Sequence, residues 1–526
     1  MADTQGFAMD FLLGLISIVV VTSILYKMRN KNKLHLPPGP LALPIIGNLH
    51  LIGSIPHQSF QKISNRYGPL IHVLLGSVSC VVVSSAEIAK QMLKSQELDF
   101  SSRPVPLATN YITYDTADFI FTPYGPYWRF MKKLCMSELL NGQILNQFIP
   151  LRKEELHRFL QSIFDKSILG KAIDVRQEVM RLSNNTVTRM TMNTRCSGTE
   201  DQAEETIMVA QDALELAGRF NLSDYIGLCK VLDLQGFGKK MKDTRRRFDN
   251  IIDKIIMEHE EARSQKKKMG STSDGGNHHG VKTLLDLLLD ISEDEEAEMR
   301  LTKANIKAFI LDLFLAGTDT SGMTIEWAMS ELINNPSVLE KAREEIDLVV
   351  GKSRLVEESD IPNLPYLQAI VKETLRLHPP APLILRQSTR DCKLWGYDIP
   401  GNTRTFINVW AIGRDPKYWD NPLQFQPERF MMIEDGGSNK SSQIDVRGQH
   451  YQFLPFGSGR RMCPGLTLGL QTVQTGLACM IQCFEWKFGE GKQAKVDMEE
   501  GASITLPRAH HLICDAVPRL NPLPIT

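Results

Sequence analysis

The sequence predicts a mainly helical protein with a few small sheets, built as one large unit behind a membrane-anchoring segment. Three observations carry that expectation. Helical spacing of apolar residues dominates the 526-residue chain, with no internal repeats. Stretches that read as strands are few and short. A run of 20 mostly apolar residues, Phe7 to Tyr26, stands near the start. At about 1.5 Å per residue, a helix of that length spans a hydrocarbon core.

The anchor is justified by its flanks. The leading end carries Asp3 and no base, whereas Lys27, Arg29, Lys31 and Lys33 follow the run. A cleaved signal peptide has the opposite arrangement. Basic residues stay on the cytosolic side, so the body should be cytosolic. Residues 1–34 are therefore expected to be the anchor and its basic flank, and 35–526 a single domain. That domain opens on Leu36-Pro37-Pro38-Gly39-Pro40, a stiff spacer, because proline fixes φ and removes a donor. The sequons at Asn184, Asn221 and Asn439 should then stay unmodified.

In the body, Glu204 to Leu216 and Phe248 to Arg263 read as amphipathic helices, and Leu301 to Ile333 as one long helix. Ser264 to Gly280 reads as an exposed loop, with His278 and His279 as solvated loop residues rather than metal ligands. Leu70 to Leu75, Cys80 to Ser84 and Thr405 to Asn408 read as strands. Composition is globular, with 42% hydrophobic and 23% charged residues, which excludes a disordered chain and a multi-span transporter. The net charge of -1 leaves no global basic field to bind nucleic acid. Nine cysteines without a C-x-x-C are too few for a disulfide scaffold and fit a reducing compartment. Most read as small buried hydrophobes.

Cys463 reads differently. It ends the turn Phe456-Gly457-Ser458-Gly459-Arg460-Arg461-Met462, and Pro464-Gly465 leads from it into an apolar helical run from Leu466. This presents a thiolate at a helix N-terminus, where N–H groups and the dipole lower a thiol's pKa. Glycines allow a flat ligand close to the backbone, and Arg461 adds a positive charge. A thiolate is an electron-rich axial ligand for haem iron.

The segment matches F-x-x-G-x-R-x-C-x-G in full, and the chain resembles the cytochrome P450 family. Three further elements fall in that family's order. Trp128 and Lys132 stand four apart on one helix face, with lysine where the family commonly has arginine. Ala316-Gly317-Thr318-Asp319-Thr320-Ser321 matches A-G-x-D-T-S inside the long helix. Its glycine and polar side chains are expected to loosen the helical ladder. Glu373-Thr374-Leu375-Arg376 is E-x-x-R, accompanied by Pro427-Glu428-Arg429-Phe430.

The resemblance implies a P450 fold with an N-terminal transmembrane helix and a haem b cofactor ligated by Cys463. It places Trp128, Lys132, Ala316, Gly317, Arg386, Phe456 and Arg461 around the haem. Thr320 and Asp319 would serve oxygen binding and proton delivery. Glu373, Arg376 and Arg429 would form a buried structural cluster. The implied activity is O2-dependent monooxygenation in the endoplasmic reticulum membrane. No nicotinamide or flavin fingerprint is present, so electrons from NADPH would arrive through NADPH–cytochrome P450 reductase. Lys132, Lys133 and Arg460 are candidates for its docking face.

Segments such as Phe220-Asn221-Leu222-Ser223-Asp224-Tyr225 and Arg447-Gly448-Gln449-His450-Tyr451 resemble the plant A-type branch, pterocarpan hydroxylases above all. That implies hydroxylation of a flavonoid or isoflavonoid-type phenolic. The alternatives are flavone-type desaturation of a flavanone, or hydroxylation of a triterpenoid such as β-amyrin. A haem sensor or carrier without turnover is the reading of another class. Phe119, Phe121, Phe314, Leu383 and Ile504 are the candidate substrate contacts by the same resemblance.

Overall fold

The computed structural model describes Gly14, Ser17 and residues 34–526, leaving out 196–199, 219–220, 227–228, 230–232, 234, 269–281, 432–443, 490–494 and 525–526. The apolar run 7–26 and its basic flank therefore lie outside the described residues except at Gly14 and Ser17, as do His278, His279 and the sequon at Asn439. Among the described residues, no helix is long and apolar enough to cross a membrane.

Helices dominate. Those that position the site are α1 (Pro126–Glu138), α2 (Ile149–Ile168), α3 (Val175–Met192), α4 (Glu200–Gly218), α5 (Phe237–Lys268), α6 (Lys303–Asn334), α7 (Pro336–Val349), α8 (Pro365–Leu377) and α9 (Leu466–Cys483). Their starts follow local chemistry. Pro126, Pro336 and Pro365 occupy first turns, where no N–H is needed. Thr302 caps α6 by accepting from the Asn305 amide, and Asn305 reaches back to the Thr302 N–H. The expected loop from Ser264 begins too early, because α5 runs on through Lys268. Gln265 and the lysines after it are good helix formers and carry the helix past the polar boundary.

Among the described residues the strands are nine and short: β1 (Leu70–Leu75), β2 (Val78–Val83), β3 (Ile173–Asp174), β4 (Leu383–Gln387), β5 (Cys392–Leu394), β6 (Tyr397–Ile399), β7 (Arg404–Asn408), β8 (Phe484–Lys487) and β9 (Ile513–Pro518). Four of them form a sheet in the order β1-β2-β7-β4. β2 pairs with β7 in parallel, with Cys80 opposite Arg404, and the other two pairings are antiparallel. Valines at 78, 81, 82 and 83 suit a pleated, half-buried surface.

The core has two main parts, joined by α6. Its N-terminal half, through Phe309, Ile310 and Phe314, packs with α1, α4 and α5. Its C-terminal half, through Ile325, Ala328, Met329 and Leu332, packs with α2, α3, α7, α8 and α9. Burying α6 on nearly every side explains why its sequence shows little amphipathic pattern. The stretch between the two halves is where a cavity opens.

The sequons at Asn184 and Asn221 are both buried, so their side-chain amides are inaccessible to a large sugar. All described cysteines are free. Cys80, Cys135, Cys479, Cys483 and Cys514 are buried, Cys229 and Cys392 are half-buried, and Cys196 is outside the described residues.

Candidate active site

A cavity of about 930 Å³ lies along the middle of α6, bounded by α1, α3, the loop before α9 and the β4 strand. The Cys463 side chain faces it, and so do Phe456, Arg461, Ala316, Gly317, Thr320, Trp128, Lys132 and Arg386. The loop is shaped by glycines that take the left-handed region, Gly457 at φ 73° and Gly459 at φ 72°. At Gly459 a β carbon would also stand 3.0 Å from the Leu93 carbonyl oxygen. The Cys463 N–H donates to the Phe456 carbonyl at 3.0 Å, which turns the thiol inward.

Burial pushes Cys463 up from its ordinary value, and the Gly465 N–H, Lys132 and Arg103 offset this only in part. The helix-end effect exists but is smaller than desolvation. A bound metal ion would displace that proton outright.

The cationic wall comes from three elements. Arg461 donates to the backbone carbonyls of Ser101 at 3.0 Å and Thr122 at 2.7 Å, and stacks 4.6 Å over Trp128. Arg386, on β4, donates to its neighbour's Leu385 carbonyl at 2.8 Å. Arg103 donates to the Ile120 carbonyl at 2.9 Å and leaves its buried Nε without a partner. Burial lowers Arg386 well below its ordinary value, with Arg103 and Arg461 adding repulsion. Arg461 falls to about 9, from burial first and Arg103 next. Neither Arg386 nor Arg461 forms an ion pair among the described residues. Buried unpaired cations on a cavity wall fit an anionic ligand edge. Sequence reasoning missed Arg103: a lone arginine in Ser-Ser-Arg-Pro carries no pattern, and only the fold brings it to the other two. Lys132 is directed elsewhere, onto the Met462 carbonyl at 3.1 Å.

On α6 the expected loosening is absent, because the helix is continuous from Lys303 to Asn334. The Thr320 hydroxyl bonds back to the Ala316 carbonyl at 2.8 Å without breaking the ladder. Gly317 has a packing reason instead. A β carbon there would stand 2.6 Å from Val187 Cγ2 on α3. Asp319 does not line the cavity. It is 1% exposed, with Oδ1 paired to Arg176 at 2.7 Å and Oδ2 accepting from Thr505 at 3.2 Å.

Glu373, Arg376 and Arg429 meet away from the cavity. Arg376 holds both Glu373 oxygens at 2.7 and 2.8 Å, and Arg429 Nε adds a bond at 3.0 Å. Gly413 and Pro422 carbonyls accept the rest of the Arg376 fork, each at 2.7 Å. Such a unit ties α8 to the segment that precedes the cysteine loop.

Of the expected substrate contacts, Phe119, Phe121, Leu383 and Ile504 line the cavity. Phe314 does not. It is buried against Phe248 of α5, with ring centroids 6.3 Å apart. A helix apolar on all sides gives no sequence signal for which face meets the cavity. Asp312, also missed, fixes the Phe119 wall by accepting from the N–H groups of Phe119 at 2.6 Å and Ile120 at 3.1 Å.

A soft thiol opposed by a cationic wall in one apolar cavity is the donor set of a haem-thiolate site. The Cytochrome P450 family model matches residues 37–514. The chain belongs to the cytochrome P450 family. The 3,9-dihydroxypterocarpan 6A-monooxygenase of Glycine max is 55% identical over 516 residues, covering 98% of each chain. The beta-amyrin 24-hydroxylase of Glycine max is 48% identical over 524 residues, covering 99% of each. Among solved structures, a zebra fish cytochrome P450 with progesterone superposes at a TM-score of 0.74 and 24% identity, covering 88% of this chain and 99% of that one. The fold is thus the P450 fold, and this P450 is an oxidoreductase of the monooxygenase class with a haem iron cofactor.

Proposed function

We propose that this P450 hydroxylates a compact phenolic ring system of the flavonoid or isoflavonoid type. The single observation that carries the reading is one apolar cavity shared by the Cys463 thiol and the walls Phe119, Phe121, Leu383 and Ile504. Aromatic and aliphatic walls suit a flat, mostly apolar ligand. The full-length similarity to a pterocarpan monooxygenase supports the substrate class.

The cofactor in this proposal is haem b. Cys463 would ligate it, Arg103, Arg386 and Arg461 would face its two carboxylates, and Trp128, Phe456, Ala316 and Gly317 would border it. When bound, haem supplies the redox chemistry that oxidises a C–H bond. The protein's own residues do the rest. The apolar walls orient the substrate and exclude bulk water. The Thr320 hydroxyl offers a donor and acceptor on the cavity side of α6, while Asp319 holds a carboxylate in reserve behind it.

The proposal extends to the cell. Residues 1–34 form a single-pass anchor in the endoplasmic reticulum membrane, and 35–526 a cytosolic catalytic domain. NADPH-derived electrons come from a membrane-bound reductase. The apolar run and its trailing bases support this. Lys133 and Arg460 remain the candidate docking cations, each with an acidic neighbour, Glu298 at 3.1 Å and Glu97 at 3.3 Å. Lys132 is turned inward.

Microsomes holding this protein and a plant reductase, fed flavanone, pterocarpan and β-amyrin separately, test the substrate class by product mass. A pterocarpan or flavanone product gaining one oxygen is expected. A product lacking two hydrogens would mean desaturation, and turnover of β-amyrin alone would overturn the phenolic reading.

A further inference from the structure

Asp319 and Thr320 are neighbours on one α-helix, so their side chains point about 100° apart. Thr320 faces the cavity and donates to the Ala316 carbonyl. Asp319 is buried behind it and has no cavity surface. A proton held by Asp319 therefore needs another group to reach the cavity. The segment between Glu500 and Leu506 supplies one. Thr505 Oγ1 lies 3.2 Å from Asp319 Oδ2 and 3.3 Å from Ser503 Oγ, and both Thr505 and Ser503 line the cavity.

We infer that Thr505 and Ser503 form the hydroxyl bridge that carries a proton from Asp319 into the cavity. The inference deepens the proton-delivery role proposed for Asp319 and rests on it. The step moves one proton and no electrons. Protonated Asp319 gives its proton to Thr505 Oγ1 as Thr505 gives its own to Ser503 Oγ. Ser503 releases its proton on the cavity side. Asp319 returns to the carboxylate, and the hydroxyls rotate to reset, since each carries one donor and two acceptor lone pairs. The proton comes from solvent water, and monooxygenation consumes it.

The surrounding structure holds the bridge in place. Arg176 pins the other Asp319 oxygen at 2.7 Å. The Trp327 indole donates to the Leu506 carbonyl at 2.8 Å, and the Leu506 N–H to the Pro380 carbonyl at 3.0 Å. At the other end Glu500 accepts from Trp410 at 2.7 Å and from Gln58 at 2.8 Å. A segment fixed at both ends keeps Thr505 within reach of Asp319. Ser503 and Thr505 are here relay groups, not groups that bind the substrate.

The test compares Thr505→Val, which keeps the shape and removes the hydroxyl, with Thr505→Ser, which keeps the hydroxyl and removes the methyl. Asp319→Asn is the control. In the haem-loaded protein with reductase, product formation should fall by about a hundredfold in Thr505→Val, the low end of what a positioned proton-transfer group contributes. The electrons should go to hydrogen peroxide, and the solvent isotope effect on turnover should change. Thr505→Ser should stay near wild type. A second readout needs no turnover: the infrared carboxylate stretch of Asp319 in the resting protein. Losing the Thr505 donor should shift that band, because a hydrogen bond to the carboxylate oxygen is lost. Wild-type coupling in Thr505→Val, an equal defect in Thr505→Ser, or an unmoved Asp319 carboxylate band overturns the bridge. Wild-type coupling in Asp319→Asn overturns the underlying role of Asp319 as well. The infrared arm is independent of substrate, so it decides even if the phenolic substrate class is wrong.

Discussion

Replacing Glu373 by Gln tests the idea that one buried carboxylate locks the scaffold under the cysteine loop. Glu373 is fully buried and accepts four hydrogen bonds: two from Arg376, one from Arg429 and one from the Gln426 N–H at 2.8 Å. The amide is nearly the same shape but carries no charge and turns one acceptor into a donor. Two guanidinium groups would then lose their counter-charge at a fully buried site. Removing one partner of a buried pair costs roughly 3–5 kcal/mol. Arg376 keeps its carbonyl partners at Gly413 and Pro422, so about 3 kcal/mol is the expected loss. That is a large share of the ~5–15 kcal/mol that stabilises a typical domain. Urea unfolding followed by tryptophan fluorescence is a suitable assay, because buried Trp419 lies 5.2 Å from the Arg376 guanidinium carbon. The midpoint should fall at unchanged slope. A loss below about 1 kcal/mol, the range of an ordinary surface pair, would refute the locking role.

Other perturbations address other parts of the account. Gly317→Ala gains about 1 kcal/mol of helix propensity but sets a carbon 2.6 Å from Val187 Cγ2, and overpacking costs ~1–3 kcal/mol. Thermal melts should show a net loss that Val187→Ala relieves, and a Gly317→Ala protein at least as stable as wild type would contradict the packing argument. Burial raises Glu500, but bonds from His57, Gln58 and Trp410 more than offset this and hold it at about 2. Its carboxylate is therefore lower in the folded than in the unfolded chain, and its stabilisation of about 3 kcal/mol is present above pH ~4.5 and lost as pH falls toward 2. Glu500→Gln should flatten that acid limb in pH-dependent unfolding; an unchanged limb would remove Glu500 as its source. Lys133→Glu should slow haem reduction by reductase at low salt, with the difference shrinking at high salt, and leave substrate dissociation constants unmoved. Equal rates at low salt would take Lys133 off the docking face.

Local signals were legible where chemistry is written in neighbouring residues. The strand Leu70–Leu75 was read at its observed bounds, and the helices read at Glu204–Leu216 and Phe248–Arg263 lie inside longer observed ones. Their patterns come from one buried face. Leu383–Gln387 was missed as a strand because only pairing with Arg404–Asn408, far along the chain, makes it one. The cysteine loop was readable because a short motif carries it, and the Glu373 cluster because the family resemblance joins Glu373 and Arg376 to the distant Arg429. Arg103, Asp312 and Thr505 were not, because each acts through residues distant in sequence. Phe314 was misplaced because α6 is buried on nearly every side, so periodicity could not separate the cavity face from the core.

The central claim is that Cys463 is the thiolate ligand facing this cavity. Its most direct test is the absorption spectrum of the reduced, carbon monoxide-bound protein for wild type and Cys463→Ser, each checked for folding by circular dichroism. A folded Cys463→Ser protein should lose the shifted Soret band that thiolate ligation produces, because an alcohol oxygen cannot replace the electron-rich sulfur. Survival of that band in the folded variant would contradict the assignment.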